Sequence, residues 1–374
     1  MSESRTIFLA GGGTGGHLYP GIAVAQALRD ISSDIKPVFL CTQREIDETI
    51  LKPTGFEFIK QSIVPPVKTI GGLLKFWASW RETNAQVKSA YRQHLPVAVL
   101  GLGGYAAGAA VRYAAHKLVP TAILNPDVVP GKANQYLLRD VRAMCCQFEA
   151  TRDYVSLSRQ SKIRVTGCPI RNDIRNLPPR DEALKRLGLD KQFMTLVITG
   201  ASQGAKTVNE AALGAVGSLK LQGWQILHLS GKEHADAVRT GYRELGVEAA
   251  VIDFTPDMAD VWAAADLTVC RSGASTCAEL TACGIPSILM PYPYHKDQQQ
   301  KLNGKVLADA GAAVLMEDLK DKKKNADRLT PILQSLLYDA PKRTAMAQAA
   351  KTLGRPDAAK AVAEVIMEMI GSGR

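Results

Sequence analysis

Short apolar runs that break into glycine clusters and then into helix-patterned segments recur along this chain, and that repeated grammar limits the fold more than any other feature. Ile7–Ala10 enters Gly11-Gly12-Gly13-Thr14-Gly15-Gly16-His17, and Pro20–Leu28 then has helical spacing. Val38–Leu40 and Val97–Leu100 are further β-type runs, the second followed by Gly101-Leu102-Gly103-Gly104-Tyr105 and an alanine-rich helix. After Thr166-Gly167-Cys168-Pro169 and the proline-bearing stretch at 176–179 the pattern restarts. Leu196–Thr199 leads into Gly200–Ala205, Leu267–Cys270 into Arg271-Ser272-Gly273, and Ser287–Met290 into Pro291. Short apolar strands alternating with helices imply parallel sheets covered on both faces. The expected architecture is therefore α/β, with two tandem doubly wound domains, residues 1–166 and 167–353. An amphipathic C-terminal helix in 354–374 could cap either domain.

Composition narrows the setting. With 46% apolar residues in 374, the chain can supply a sizeable core, which excludes disorder as its main state. No apolar run approaches the roughly 18 residues of a spanning helix, and Ile7–Ala10 is too short for a signal-peptide core, so a non-integral, cytoplasmic protein is expected. Seven cysteines without a Cys-x-x-Cys pair read as small buried hydrophobes, with neither a disulfide framework nor a zinc site. The net charge of +10 is uneven, +8 in residues 1–166 and +2 in the remainder. A one-sided basic surface suits nucleic acid, anionic lipid or phosphorylated ligands, and charge alone does not choose among them.

The loops carry the chemistry. Gly11-x-Gly13-x-x-Gly16 matches a dinucleotide fingerprint, but the second strand ends Leu40-Cys41-Thr42-Gln43 without the acidic residue that holds a ribose, which disfavours NAD or FAD. What remains is backbone N–H groups and a helix N-terminus brought close to a phosphate. Gly101–Tyr105 and Gly200–Ala205 repeat that logic, and three such loops point to a phosphate-rich ligand rather than three plain turns. In the second half, Gly273-Ala274-Ser275-Thr276 opens a helix, and Glu279 is placed to accept from a vicinal diol such as ribose or, alternatively, to complement the helix dipole. His295–Gln300 is dense in hydroxyl and amide recognition groups, which suits a sugar.

A separate signal lies at 68–92. Ile70, Leu73, Leu74 and Trp77 recur at helical spacing, Phe76 and Trp80 widen the stripe, and Lys68, Lys75, Arg81, Lys88 and Arg92 surround it against Glu82. A basic helix with tryptophans on its apolar side has the composition of an interfacial anchor; the alternative is a helix packed into the core.

Taken in order, Gly12–His17 with Pro20-Gly21, Gly103-Gly104-Tyr105, Thr166-Gly167-x-Pro169-x-Arg171, Ser202–Ala205, Cys270–Ala274 with Glu279, and His295-Lys296-Asp297-x-Gln299-Gln300 resemble the MurG family over nearly the whole chain. The resemblance implies two Rossmann-like domains in the GT-B arrangement. It also implies inverting transfer of GlcNAc from UDP-GlcNAc to lipid-linked muramyl-pentapeptide (lipid I), giving lipid II at the cytoplasmic face of the bacterial membrane. No cofactor, metal or nucleic acid is implied. A UDP-GlcNAc 2-epimerase-like isomerase and a glycosyltransferase with a diacylglycerol acceptor share the architecture and remain the alternatives. His17 is then either the base or a donor that orients phosphate. Thr14, Gly15, Gly16, Gly104, Tyr105, Asp127, Asn134, Arg171, Ser202, Gln203, Gly204, Thr255, Arg271, Ala274, Ser275, Thr276, Glu279, Gln299 and Gln300 are the expected substrate contacts. One departure is local: Leu124-Asn125-Pro126-Asp127 stands where such enzymes usually carry His-Glu-Gln-Asn, a loop on the acceptor side.

Overall fold

The structure is a computed structural model that describes residues 4–200, 204–295 and 297–372. It forms two compact units, Met1–Arg171 together with Pro356–Arg374, and Asn172–Arg355. The change of unit thus falls at Arg171/Asn172, a few residues beyond the expected 166.

The first unit is built on seven strands: β1 (Arg5–Ala10), β2 (Ile35–Thr42), β3 (Glu57–Gln61), β4 (Ala98–Gly101), β5 (Thr121–Asn125), β6 (Ala143–Cys146) and β7 (Ile163–Val165). They lie in the order β3-β2-β1-β4-β5-β6-β7, every neighbouring pair parallel. The central strands are buried on both faces, which is why they read as unbroken apolar runs rather than alternating ones. The helix Ala358–Gly371 returns to this unit. Its Val362, Ala363, Ile366 and Met369 join Leu18, Ile22, Ala25 and Leu28 of the helix Gly15–Ile31 in one core.

The second unit carries β8 (Met194–Thr199), β9 (Trp224–Leu229), β10 (Ala250–Ile252), β11 (Leu267–Cys270), β12 (Ser287–Leu289) and β13 (Ala313–Leu315). These form a parallel sheet in the order β10-β9-β8-β11-β12-β13. In each sheet the order reverses beside the first strand, between β1 and β4 and between β8 and β11. Loops leaving the carboxyl ends of those strands border the crevice where doubly wound sheets bind ligands.

The amphipathic stripe is one long helix, Ile70–His94, and four of the six stripe residues lie on its exposed side. Ser79, Thr83, Val87 and Ala90 are buried against the sheet, while Ile70, Leu73, Leu74 and Trp77 are exposed with Val64 and Val67 beside them. Trp80 belongs to the inner side: it packs on the core, and a Cβ on Gly108 would come within 3.2 Å of its ring. Phe76 bridges the two sides, its ring 5.9 Å from that of Trp77 and 5.9 Å from that of Trp80. The outer patch therefore lacks Trp80. Among the described residues no helix is long and apolar enough to cross a membrane.

Candidate functional site

In the first unit the glycine segment is shorter than its sequence suggests, because the helix already starts at Gly15. Thr14 is the residue before it, with extended backbone, and Gly15, Gly16 and His17 form its first turn. His17 accordingly projects from a rigid helix end rather than from a loop. Its Nδ1 lies 3.2 Å from the Gly12 carbonyl and 3.3 Å from Thr14 Oγ1. A carbonyl can only accept, so the Gly12 contact calls for the proton on Nδ1 and leaves Nε2 its lone pair, whereas donation from Thr14 Oγ1 would call for the opposite tautomer. Burial pushes the His17 pKa below the ordinary imidazole value, against the Gly12 bond and the charges of Asp127 and Asp47, which raise it. A neutral imidazole with a free Nε2 lone pair is the form a general base needs.

The second glycine pair explains itself against this ring. Gly103 (φ 108°) and Gly104 (φ 71°) sit in the left-handed region, and a Cβ on either would lie 3.1 Å from His17 ring carbons. The imidazole lies close to bare backbone, and Tyr105 follows in a short 3-10 turn. Burial raises the Tyr105 hydroxyl above its usual range.

Two residues that motif reading missed hold the first loop in place. Asp47 is fully buried and accepts from Gly13 N at 2.7 Å, Thr42 N at 2.8 Å and Thr42 Oγ1 at 2.7 Å. Arg44 Nη1 donates to the Gly13 carbonyl at 2.8 Å. The only sequence signal was position: the expected acidic residue is missing at the end of β2, and Glu45 and Asp47 follow three and five residues later.

Around Asp127 the departure from the family pattern becomes legible. Asn125 is buried and donates from Nδ2 to the Asp127 carbonyl at 2.7 Å. Asn134 donates to the Leu124 carbonyl at 2.8 Å and to Asn125 Oδ1 at 3.1 Å. Asn134, expected to contact substrate, is buried in this turn, where its Nδ2 closes the loop after β5. Arg171 lies with its guanidinium 5.2 Å from the Tyr19 ring centroid, on the same helix as His17.

In the second unit, Gly273 caps the helix Ala274–Cys283, whose first intrahelical bond runs from Cys277 N to the Gly273 carbonyl at 2.9 Å. The amides of Ala274, Ser275 and Thr276 precede that bond, so they make up an N-terminal donor set. Glu279 is the sixth residue of the helix, too far in for a first-turn dipole role. Its Oε2 accepts from Trp262 Nε1 at 2.8 Å, which fixes the carboxylate on a partly exposed surface. Gly204 (φ 72°) approaches the segment after β9 so closely that a Cβ would meet the Ser230 carbonyl at 2.2 Å. Ser202, Gln203 and Lys296 lie outside the described residues. Thr255 Oγ1 accepts from Asp257 N at 3.0 Å and shapes the turn before the helix Met258–Ala264.

Arg271, expected among the substrate contacts, is held by its own loops. Its side chain is buried, and Nη1 donates to the Met290 carbonyl at 2.9 Å, the Pro291 carbonyl at 3.1 Å and Asp318 Oδ2 at 2.8 Å. Nη2 donates to Thr207 Oγ1 at 2.7 Å. Arg271 thus ties together the loops after β11, β12 and β13, and Asp318, unremarked in the sequence, is its counter-ion. Gln300 Oε1 accepts from Tyr292 N at 2.9 Å, so its Nε2 amide is the group left to reach a ligand. Gln299 opens the helix Gln299–Asp309. No group of His, Cys, Asp and Glu able to hold a metal occurs among the described residues.

Comparison with known proteins fits this geometry. Residues 7–145 match the glycosyltransferase family 28 N-terminal domain and residues 195–362 the family 28 C-terminal domain. A Myxococcus xanthus protein named UDP-N-acetylglucosamine--N-acetylmuramyl-(pentapeptide) pyrophosphoryl-undecaprenol N-acetylglucosamine transferase is 34% identical, covering 97% of this chain and 93% of that one. An Anaeromyxobacter dehalogenans protein of the same name is 36% identical over 97% and 93%. The chain belongs to the MurG family. Acinetobacter baumannii MurG shares the GT-B fold with a TM-score of 0.77 at 24% identity, over 97% of this chain and 99% of that one. A Neisseria meningitidis UDP-GlcNAc 2-epimerase bound to UDP-GlcNAc has the same fold at 16% identity, TM-score 0.68, over 97% and 100%. As a MurG-family member the chain is a glycosyltransferase, and the epimerase likeness is one of fold.

Proposed function

We propose that this chain transfers N-acetylglucosamine from UDP-GlcNAc to the 4-hydroxyl of the muramyl-pentapeptide of lipid I, forming lipid II with inversion at the sugar C1. Family membership supports the reaction, and the arrangement of His17 is the observation that carries the mechanism. With Nδ1–H on the Gly12 carbonyl, Nε2 takes the proton of the acceptor hydroxyl as its oxygen bonds to C1. The C1–O bond to the diphosphate breaks at the same time, and its electron pair leaves with UDP. The growing charge on the leaving diphosphate needs fixed donors. The amides of Ala274–Thr276, those around Gly204 and the Arg171 guanidinium are the groups assigned to it. Glu279, held by Trp262, accepts from the ribose hydroxyls, and Gln299 and Gln300 meet the sugar. Asp127 and Tyr105 face the acceptor, Asp127 in place of the asparagine usual in the family.

The exposed Ile70, Leu73, Leu74 and Trp77, with exposed Lys68, Lys75 and Arg81 beside them and Lys88 and Arg92 farther along the same helix, are the surface by which the enzyme meets a lipid-linked acceptor as a peripheral protein of the cytoplasmic face. The test of the reaction is UDP release from UDP-GlcNAc with and without a lipid I analogue. Release that requires the analogue is expected. Acceptor-independent conversion of UDP-GlcNAc to an epimer would overturn the transferase reading in favour of the isomerase, and release driven by diacylglycerol would reassign the acceptor.

A further inference from the structure

Gly12 and Gly13 share a peptide plane, and its two polar ends are gripped from opposite sides. The N–H end, Gly13 N, donates to Asp47 Oδ1 at 2.7 Å, with Oδ2 at 2.9 Å. The carbonyl end, Gly12 O, faces His17 Nδ1 at 3.2 Å. We infer that Asp47 is a positioning residue for His17, acting through the Gly12–Gly13 peptide as a carboxylate–peptide–imidazole relay. The inference rests on the function proposed above and deepens it.

The physical argument has three parts. A buried carboxylate hydrogen-bonded to an amide N–H polarises that amide and makes its carbonyl a stronger acceptor, because hydrogen bonds in series reinforce one another at low local dielectric. A stronger acceptor at Gly12 O favours the Nδ1–H tautomer of His17 and so keeps the Nε2 lone pair available. The imidazolium that forms when Nε2 takes a proton is stabilised by the same chain, since its Nδ1–H becomes a better donor. The proton stays on Nδ1 and on Gly13 N throughout; only charge distribution changes.

The surroundings suit this role. Asp47 has no exposure, and its other bonds, from Thr42 N and Thr42 Oγ1, lock it to the end of β2. Arg44 pins the next carbonyl, Gly13 O, so the peptide cannot rotate away. A Cβ on Gly12 would strike Asp47 Oδ2 at 2.2 Å, which leaves this contact open only to glycine. The charged and titratable groups near His17 are Asp47, Asp127, Arg44 through its bond to Gly13 O, and Tyr105, whose hydroxyl would lie 3.6 Å from a Cβ on Gly13.

The test uses the full chain. In the wild type, nitrogen NMR of labelled histidine should show His17 protonated at Nδ1 and bare at Nε2. Asp47→Asn should move the His17 titration, and the acidic limb of kcat/KM, to lower pH, because a negative charge that favoured the imidazolium is gone. Turnover should fall by about 10- to 100-fold, the scale on which partners of a functional imidazole act, while KM for UDP-GlcNAc holds. In a His17→Ala background the same substitution should cause no further loss. The relay is overturned by an Nε2–H tautomer in the wild type, which requires no variant to fold. It is also overturned by an Asp47→Asn protein that melts lower with its His17 titration unmoved. If His17→Ala keeps wild-type turnover, the base assignment falls, and the tautomer and titration of His17 still decide the relay without any substrate present.

Discussion

Replacing Leu74 and Trp77 together with serine tests the surface proposed to meet lipid, and the exposure of these side chains sets the size of the effect. Ile70 is 84% exposed, Leu74 66%, Trp77 60% and Leu73 46%. Full burial of an aliphatic side chain is worth about 1.5–3 kcal/mol, and a tryptophan that buries roughly 150–250 Å² gains about 25 cal/mol per Å². Scaled by these exposures, complete insertion of the four has a ceiling of about 5–10 kcal/mol, of which Leu74 and Trp77 supply more than half. Realising only a third of that share would still weaken partitioning roughly tenfold. Neighbouring cations add about 1 kcal/mol each near an anionic leaflet, a contribution that salt removes. Co-sedimentation with vesicles containing anionic lipid should therefore fall at least tenfold in Leu74→Ser/Trp77→Ser, and wild-type binding should weaken at high salt. The melting temperature should stay within about 2 °C, since exposed substitutions lie within about 0.5 kcal/mol. Trp80→Ser is the counterpart: its ring packs on the core, so it should lower stability by about 2 kcal/mol or more and leave vesicle binding of the folded fraction intact. A double variant that binds vesicles like the wild type, or that unfolds many degrees lower, would refute the division of this helix into an outer lipid face and an inner core face.

The other predictions concern the second unit. Glu279→Ala should weaken UDP binding by roughly 1.5–3 kcal/mol, one charged hydrogen bond, read by calorimetry; unchanged affinity would remove Glu279 from the ribose. Asp318→Ala leaves the buried Arg271 charge uncompensated and should cost about 3–5 kcal/mol in denaturant unfolding, with a matching loss not expected for the exposed Asp236. Burial opposes ionisation of Asp318, but bonds from Thr207, Lys320 N, Arg271 and Asn325 outweigh it and hold its pKa below the usual range. Its stabilisation is thus present above the unfolded value of about 3.9 and fades as pH falls through the folded one. His228, between Tyr242 Oη at 2.9 Å and Asn209 Oδ1 at 3.1 Å, is pushed down to about 3 by burial. Its neutral form is the folded one, so stability should decline by about 1.4 kcal/mol per pH unit as pH falls below about 6.5, levelling off near the folded value. Loss of that slope in His228→Gln, measured by chemical unfolding between pH 4 and 7, is the expected signature, and a variant with the slope intact would assign it elsewhere.

Strand runs, glycine loops and their order along the chain were legible in the sequence because they are local: an apolar run of four to six residues ending in glycine can be little other than a buried parallel strand meeting a helix. The tandem sheets and the Gly273–Thr276 helix start follow from that one-dimensional pattern. Contacts between residues distant in sequence did not. Asp47 is an unremarkable acidic residue in a polar stretch until the β1–β2 pairing brings it under Gly13. Arg271 reads as a ligand-facing cation until the loops after β12 and β13 close over it and Asp318 takes its charge. Asn134 likewise reads as a polar contact until the turn after β5 needs its amide. The long helix shows the limit most plainly: its sequence presents one apolar stripe, but the buried side carries Ser79, Thr83, Val87 and Ala90, and Trp80 at the edge of the stripe turns inward while Trp77 stays exposed. Periodicity measures how hydrophobic a face is, whereas shape against a particular neighbour decides which face is buried.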